Sequence, residues 1–168
     1  MYKYIPEMSF GNWKIVHEYD DNQKYCSLYN GNLGAMIDHP TEYERNKYFI
    51  DTCYGNVLIA GLGMGAVILS IMDKKNVKNV DVVEIDKELI DIIKNYVPFN
   101  SKINIINKDI ENFIPKKNYD SIWIDIELAM KDTMNIEYKN KFKKYLTTNG
   151  FIKCWRSEWV NLQDLIVI

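Results

Sequence analysis

Cysteine and histidine are scarce in this sequence, and neither has the spacing of a metal site or a disulfide framework. Cys26, Cys53 and Cys154 are odd in number, lie far apart and form no C-x-x-C pair. The two histidines, His17 and His39, have no second histidine at ligand spacing, so we assign them surface or packing roles. We therefore expect no disulfide framework and no metal, and we expect a reducing compartment.

The sequence also lacks an excess of charge and a long apolar run. Its 21 basic and 23 acidic residues give a net charge of −2, and Arg45 and Arg156 are its two arginines. This balance argues against a nucleic-acid binder, which needs a basic surface for phosphates. The N-terminal segment has no apolar signal-peptide core, and the longest apolar stretch, 57–72, is interrupted by glycines and too short to span a bilayer. We expect a cytoplasmic protein without membrane contact.

What remains is the composition of an ordinary globular protein, with 47% hydrophobic and 26% charged residues in a chain of 168. That length suits one compact unit with its own core. Residues 11–38 form three alternating runs, and Asn30-Gly31 is a hairpin signal between the second and the third. We therefore predict an antiparallel β meander over residues 1–40 and a Rossmann-like cofactor-binding part over residues 41–168.

A helix is predicted directly after the meander. Pro40 and Thr41 would open it, and Thr41 and Glu44 have capping-box spacing. We expect one side of this helix to carry Tyr43, Lys47, Tyr48, Phe49 and Ile50.

From residue 57 onward, apolar strands alternate with helical segments. The strand segments are VLIA (57–60), VDVVEI (80–85), KINIIN (102–107), YDSIWIDI (119–126) and FIKCW (151–155). Helices are predicted between them, and Asn149-Gly150 is expected to form the C-cap and turn of the last one. This succession predicts a doubly wound parallel α/β sheet with right-handed crossovers, truncated after its fifth strand.

Ligands of doubly wound sheets bind outside the carboxyl ends of the strands, and four features of this sequence lie there. They are the glycine turn 61–65 and the acids Glu84, Asp109 and Asp125. Glycines allow a sharp turn and close approach of a ligand, and an acid after the second strand binds ribose hydroxyls in nucleotide-binding folds. Each feature has a plainer interpretation, such as a tight turn, a solvated strand end or, for Asp109, a helix N-cap.

In chain order, these segments resemble the motifs of class I S-adenosylmethionine-dependent methyltransferases. The segments are VLIAGLGMG, VVEID, NKDIENF and YDSIWIDI, and VEID with the preceding meander is most similar to the spermidine synthase branch, including short, viral-looking members. The resemblance implies S-adenosylmethionine, or its decarboxylated form, as cofactor. It implies that Glu84 binds the ribose, Ile85 flanks the adenine and Asp109 binds the adenine amine. The full set of cofactor-binding residues that we predict is Gly61, Leu62, Gly63, Gly65, Glu84, Ile85, Asp109 and Ile110.

Asp125 lies where the resemblance places a residue between cofactor and acceptor. We therefore predict that Asp125 is catalytic and that Asp125 and Glu127 contact the substrate. We favour a methyltransferase that acts on a small molecule or a protein. Aminopropyl transfer is the alternative, although Gly63 replaces an Asp of spermidine synthases and Asp125-Ile126-Glu127 departs from their D-S-x-D-P pattern. A lyase that cleaves the cofactor, a non-catalytic nucleotide-binding module and a nicotinamide-binding domain also stay open.

The last segment of the chain is rich in large apolar residues. These residues are Trp155, Trp159, Leu162, Leu165, Ile166 and Ile168. Because unpaired sheet edges tend to be covered, we expect a homodimer in which this tail or the meander covers a neighbour. In the alternative, the tail folds back on its own sheet.

Overall fold

The N-terminal part of the chain folds into a four-stranded antiparallel sheet. The computed structural model describes residues 1, 3–20, 23–126 and 132–155, of which 132–135 by their backbone alone, and orders the strands β1-β2-β3-β4. The bounds are β1 Met8–Phe10, β2 Trp13–Asp20, β3 Gln23–Asn30 and β4 Leu33–Ile37. The predicted meander is confirmed, and β1 adds a strand that the alternation did not reveal.

Helix α1, Pro40–Thr52, follows the meander and begins differently from the prediction. His39 is the N-cap, and its Nδ1 accepts a hydrogen bond from the Thr41 backbone amide at 3.2 Å. The predicted capping box of Thr41 and Glu44 is wrong. Pro40 fits the first helical position, where its missing N–H costs nothing, and so the cap falls on the residue before it.

The buried side of α1 agrees with the predicted one at Phe49 and Ile50 and differs from it elsewhere. Asn46, Phe49 and Ile50 are buried, whereas Tyr43 and Tyr48 are 45% and 46% exposed. The inward residues have the i, i+3, i+4 spacing of one helix face, and Tyr48 lies outside that spacing. A polar residue, Asn46, therefore lies on the buried face of α1.

The second sheet is parallel and has the strand order β7-β6-β5-β8-β9. Its strands are β5 Gly55–Ala60, β6 Val77–Glu84, β7 Ile103–Asn107, β8 Tyr119–Ile124 and β9 Leu146–Cys154. The helices between them are α2 Ala66–Ile71, α3 Lys87–Tyr96 and α4 Asp132–Phe142, with 3-10 turns at Ile110–Asn112 and Lys143–Tyr145. The predicted doubly wound parallel fold is confirmed.

Asn149 and Gly150 lie inside β9 and do not end a helix, so their prediction as a C-cap is wrong. The pairing of β9 with β8 shifts in register between Tyr119 and Ser121. A Cβ on Gly150 would lie 2.9 Å from the Tyr119 carbonyl oxygen. The glycine therefore permits a close approach of two strands at an irregularity, which is the other common use of glycine in a strand.

Alternate residues of β5 supply two apolar cores, one on each face of the parallel sheet. Val57 and Ile59 belong to the core that contains α1, α2, α3 and the inner side of the meander. Leu58 and Ala60 belong to the core on the opposite face, which packs against α4. The meander therefore lies on the same side of the sheet as α2, and this places β4 beside the turn that precedes α2.

Two sequence predictions fall outside the described residues. They concern Glu127 as a substrate contact and the apolar tail beyond Trp155. Among the helices of the described ranges, none has the length and apolar character needed to cross a membrane.

Candidate functional site

The carboxyl ends of β5, β6, β7 and β8 lie side by side and are joined by backbone hydrogen bonds. Gly61 N donates to Val83 O at 2.9 Å, and Asp125 N donates to Ala60 O at 2.8 Å. Lys108 N donates to Glu84 O at 2.9 Å. In the strand order, the glycine turn therefore lies between Glu84 and Asp125, and Asp109 lies beyond Glu84.

The glycine turn has backbone φ angles that residues with a side chain adopt only with strain. Gly61, Gly63 and Gly65 have φ values of 97°, 49° and 84°. At Gly61 the restriction is also steric, because a Cβ would collide with the backbone oxygen of Asp125. Left-handed backbone and close strand ends together require glycine there. Helix α2 after the turn has six residues and ends at Ile71.

Glu84 fastens the turn to the end of β6. Its Oε2 accepts a hydrogen bond from Leu62 N at 2.9 Å, and its Oε1 accepts one from Asp86 N at 2.9 Å. The side chain is buried, with 9% exposure. A carboxylate has about four acceptor positions, so both oxygens keep capacity for hydroxyl donors.

The remaining predicted cofactor residues differ in how far they face solvent. Ile85 is 67% exposed, although it is a large apolar residue at a strand end. Asp109 is the N-cap of the 3-10 turn, accepting from Glu111 N at 2.8 Å and from Asn112 Nδ2 at 2.9 Å. Ile110 is buried in the core on the α4 side of the sheet. Asp109 is thus a cap, one of the two roles that the sequence allowed.

Asp125 lies at the tip of β8, two residues after Trp123, which belongs to the core that holds Leu62 and Met64. Trp123 Nε1 lies 3.3 Å from Asp125 Oδ2, and the Trp123 ring stacks on Phe49 of α1. Burial raises the pKa of Asp125 to about 6; the Trp123 hydrogen bond opposes this rise, and the negative charge of Glu42 adds to it. Asp125 is therefore a carboxylate whose proton affinity is close to that of a general base at neutral pH.

Two further side chains come from elements to which the sequence assigned no site residue. Met36 of β4 has its Sδ 3.1 Å from Met64 N, and a Cβ on Gly63 would lie 2.5 Å from the same sulfur. Asn46 of α1 is buried and lines a cavity together with Met36. The helical spacing of Asn46 with Phe49 and Ile50 was a signal that could have found it, whereas nothing in the sequence pairs β4 with the turn.

The described part of the chain contains no group of three or more His, Cys, Asp or Glu side chains arranged to hold a metal ion.

Comparison with known proteins identifies a family and a fold. Residues 42–161 match the family described as AdoMet dependent proline di-methyltransferase. A polyamine aminopropyltransferase of Methanocaldococcus jannaschii is 32% identical over 117 residues, which are 65% of this chain and 38% of the relative. A tRNA1(Val) (adenine(37)-N6)-methyltransferase of Pedobacter heparinus is 27% identical over 57% of this chain and 42% of the relative. The chain thus spans less than half the length of these relatives.

Solved structures with the same fold include a spermidine synthase and a methyltransferase. Spermidine synthase from Thermotoga maritima has a TM-score of 0.61 at 14% identity, covering 83% of this chain and 55% of that one. The N-methyltransferase NodS from Bradyrhizobium japonicum has a TM-score of 0.57 at 19% identity, covering 70% and 68%. These likenesses establish the fold, a Rossmann-like parallel sheet, which the two activities share.

Proposed function

Because the chain belongs to the family of AdoMet dependent proline di-methyltransferases, we propose that it is a methyltransferase that uses S-adenosylmethionine and acts on a small molecule or a protein. The observation that carries this proposal is the bond between Leu62 N and Glu84 Oε2 at 2.9 Å. It holds a glycine turn and a ribose-binding type of acid together at the carboxyl edge of the sheet, where such folds bind nucleotides.

The residues at this edge fit an adenosyl group. Glu84 keeps acceptor capacity for ribose hydroxyls, and Ile85 offers an apolar, 67% exposed surface for adenine. We assign cofactor binding to the same set as the sequence did: Gly61, Leu62, Gly63, Gly65, Glu84, Ile85, Asp109 and Ile110. When bound, S-adenosylmethionine supplies an electrophilic methyl group on its sulfonium.

Asp125 is the proposed catalytic residue. With a pKa raised to about 6 by burial, it is ionised at neutral pH and accepts a proton from an acceptor nitrogen or oxygen. Methyl transfer otherwise depends on positioning of the acceptor, which Asp125 and Glu127 would supply. Asp125→Asn is expected to lower turnover by roughly 10²–10⁴ while cofactor affinity stays within a few fold.

Calorimetry with S-adenosylhomocysteine tests the cofactor site. Ile85→Ala removes apolar surface from beneath the adenine and should weaken binding by roughly tenfold, from ~0.8 kcal/mol per buried CH₂. Ile114→Ala is the matched control, because Ile114 is 70% exposed and has no assigned role. Equal affinities of the two variants would place the adenosyl group elsewhere.

Aminopropyl transfer is the second candidate, favoured by the 32% identity to a polyamine aminopropyltransferase. It would use decarboxylated S-adenosylmethionine and a diamine. Incubation with each cofactor and putrescine, followed by mass spectrometry of the products, separates the two reactions, since an added aminopropyl group is heavier than a methyl group.

We also propose a homodimer in the cytoplasm. β7 and β9 are the edge strands of the parallel sheet, and edges are commonly covered. Cys26, Cys53 and Cys154 are buried and form no disulfide with one another, which suits a reducing compartment. Light scattering that gives a monomer mass at micromolar concentration would contradict the dimer.

A further inference from the structure

The meander contacts the segment that carries the proposed ribose-binding acid. Trp13 of β2 is partly buried against the core, and its Nε1 donates a hydrogen bond to Asp86 Oδ2 at 2.8 Å. Gly11, between β1 and β2, has a φ of 52°, and a Cβ there would collide with the Glu88 carboxylate. Two positions of the meander therefore lie directly against the start of α3.

Asp86 links this contact to the end of β6. Its Oδ1 accepts a hydrogen bond from Leu89 N at 3.0 Å and so caps α3, while its own backbone N–H donates to Glu84 Oε1 at 2.9 Å. The other carboxylate oxygen of Glu84 accepts from Leu62 N of the glycine turn. A series of hydrogen bonds therefore runs from Trp13 through Asp86 and Glu84 to the turn.

Ile85, the proposed surface for adenine, lies between these two acidic residues in the chain. Its side chain is 67% exposed, so packing of that side chain contributes little to its position. Hydrogen bonds of the backbone contribute instead, because Asn107 Nδ2 donates to Ile85 O at 2.8 Å and the residues on either side are bonded as described. A binding surface that is held in place before the ligand arrives loses less entropy on binding.

We propose that Trp13 is a positioning residue of the adenosyl site. Its hydrogen bond to Asp86 fixes residues 84–86 in the conformation that receives ribose on Glu84 and adenine on Ile85. In this role Trp13 acts through Asp86 and needs no contact of its own with the ligand. The inference rests on the proposed cofactor site and makes the meander a part of that site.

Calorimetry of the full chain with S-adenosylhomocysteine tests this role. Trp13→Phe keeps an aromatic ring and removes the N–H donor. Asp86→Ser removes the acceptor and keeps a helix N-cap, since serine caps helices about as well as aspartate does. Each variant should bind S-adenosylhomocysteine roughly tenfold more weakly than wild type. The double variant should bind no more weakly than the weaker single variant, because both substitutions remove the same bond.

Tyr29→Phe is the matched control within the meander. The Tyr29 hydroxyl donates to Glu18 Oε1 at 3.0 Å, so this variant also removes a hydrogen bond from an aromatic side chain to a carboxylate. Its affinity for S-adenosylhomocysteine should stay within about twofold of wild type, because this bond is separate from the series that begins at Trp13. A loss as large as that of Trp13→Phe would overturn the inference, since any weakening of the meander would then lower the affinity.

Methylthioadenosine distinguishes positioning of the adenosyl half from a general loosening of the site. It carries adenine and ribose without the amino-acid end, so Trp13→Phe should weaken its binding by the same factor as that of S-adenosylhomocysteine. A smaller loss for methylthioadenosine overturns the inference, as do losses that add up in the double variant. Equal affinity of Trp13→Phe and wild type for S-adenosylhomocysteine also overturns it. A wild type that binds neither ligand refutes the proposed cofactor site instead.

Discussion

Asp125→Asn should make the protein more stable at neutral pH. Burial raises the pKa of Asp125 from the ordinary value of 3.8 to about 6. The unfolded chain therefore ionises this group more readily than the folded one does. Below pH 3.8 the carboxyl is protonated in both states and adds no cost. Above about pH 6 it is charged in both, and the folded state bears the full cost of burying the charge.

The pKa difference sets the size of this effect. It corresponds to about 3 kcal/mol at pH 8 and about 1 kcal/mol at pH 4.5, as an upper estimate for a partly exposed group. Asparagine has no charge to bury, and its side-chain oxygen still accepts the Trp123 hydrogen bond. The variant should therefore exceed wild type in unfolding free energy by an amount that grows between pH 4.5 and 8. Urea unfolding at each pH, extrapolated to water, measures it.

Asp81→Asn is the matched control, because its pH dependence has the opposite sign. Burial would raise the pKa of Asp81, but hydrogen bonds from Lys117, Asn104 and Tyr119 outweigh burial and lower it. Ionised Asp81 therefore stabilises the fold above its unfolded pKa, and this contribution is lost as the pH falls. Asp81→Asn should destabilise at neutral pH and converge on wild type in acid. Two outcomes would refute this reasoning. One is an Asp125→Asn variant that is less stable than wild type at pH 8, and the other is a difference in unfolding free energy that does not change with pH.

Two further substitutions address the glycine turn. Glu84→Gln places an amide donor against the backbone N–H of Leu62 or Asp86. The variant should lose ~1–3 kcal/mol of unfolding free energy and bind S-adenosylhomocysteine more weakly. Unchanged values in urea unfolding and calorimetry would mean that the carboxylate does not hold the turn in place. Gly63→Ala imposes φ near 49° on alanine and brings its Cβ to 2.5 Å from Met36 Sδ. It should cost ~1–2 kcal/mol from the backbone alone, plus a part that Met36→Ala restores, as a double-mutant cycle by urea unfolding would show.

The parallel sheet was predictable because its signals are local. Buried strands such as β5 are continuous apolar runs, and a glycine turn after one of them marks a strand-to-helix connection. Glu84 and Asp125 could be placed by the same argument, since each ends a strand. The contacts of their side chains could not be predicted, because the hydrogen bond from Leu62 N to Glu84 depends on how two strand ends meet in space.

The errors have a common cause, which is competition between two local uses of one residue type. Gly150 could end a helix or permit a close strand contact, and packing against Tyr119 decided for the second. Thr41 could cap α1, but Pro40 placed the cap two residues earlier, on His39. Asn46 was recognisable as a polar residue at helical spacing from Phe49 and Ile50. The cavity that it lines could not be predicted, because it forms where β4 lies beside α2, and no local pattern encodes that packing.

The partly or fully buried polar groups of this molecule differ in how well the fold satisfies their hydrogen bonds. Asp81 is buried and receives hydrogen bonds from Asn104 and Tyr119 and an ion pair from Lys117, so its charge is fully compensated by the fold. Asp125 has one bond, of 3.3 Å, to Trp123, and Asn46 Oδ1 has none in the described chain. A fold selected for stability alone would have apolar residues in place of Asp125 and Asn46, because a buried polar group without hydrogen-bond partners opposes folding. Both lie on the side of the sheet where the meander and α1 pack. For Asp125 we propose that this cost in stability reflects its role as a base, which must accept a proton from a group that the fold itself does not contain.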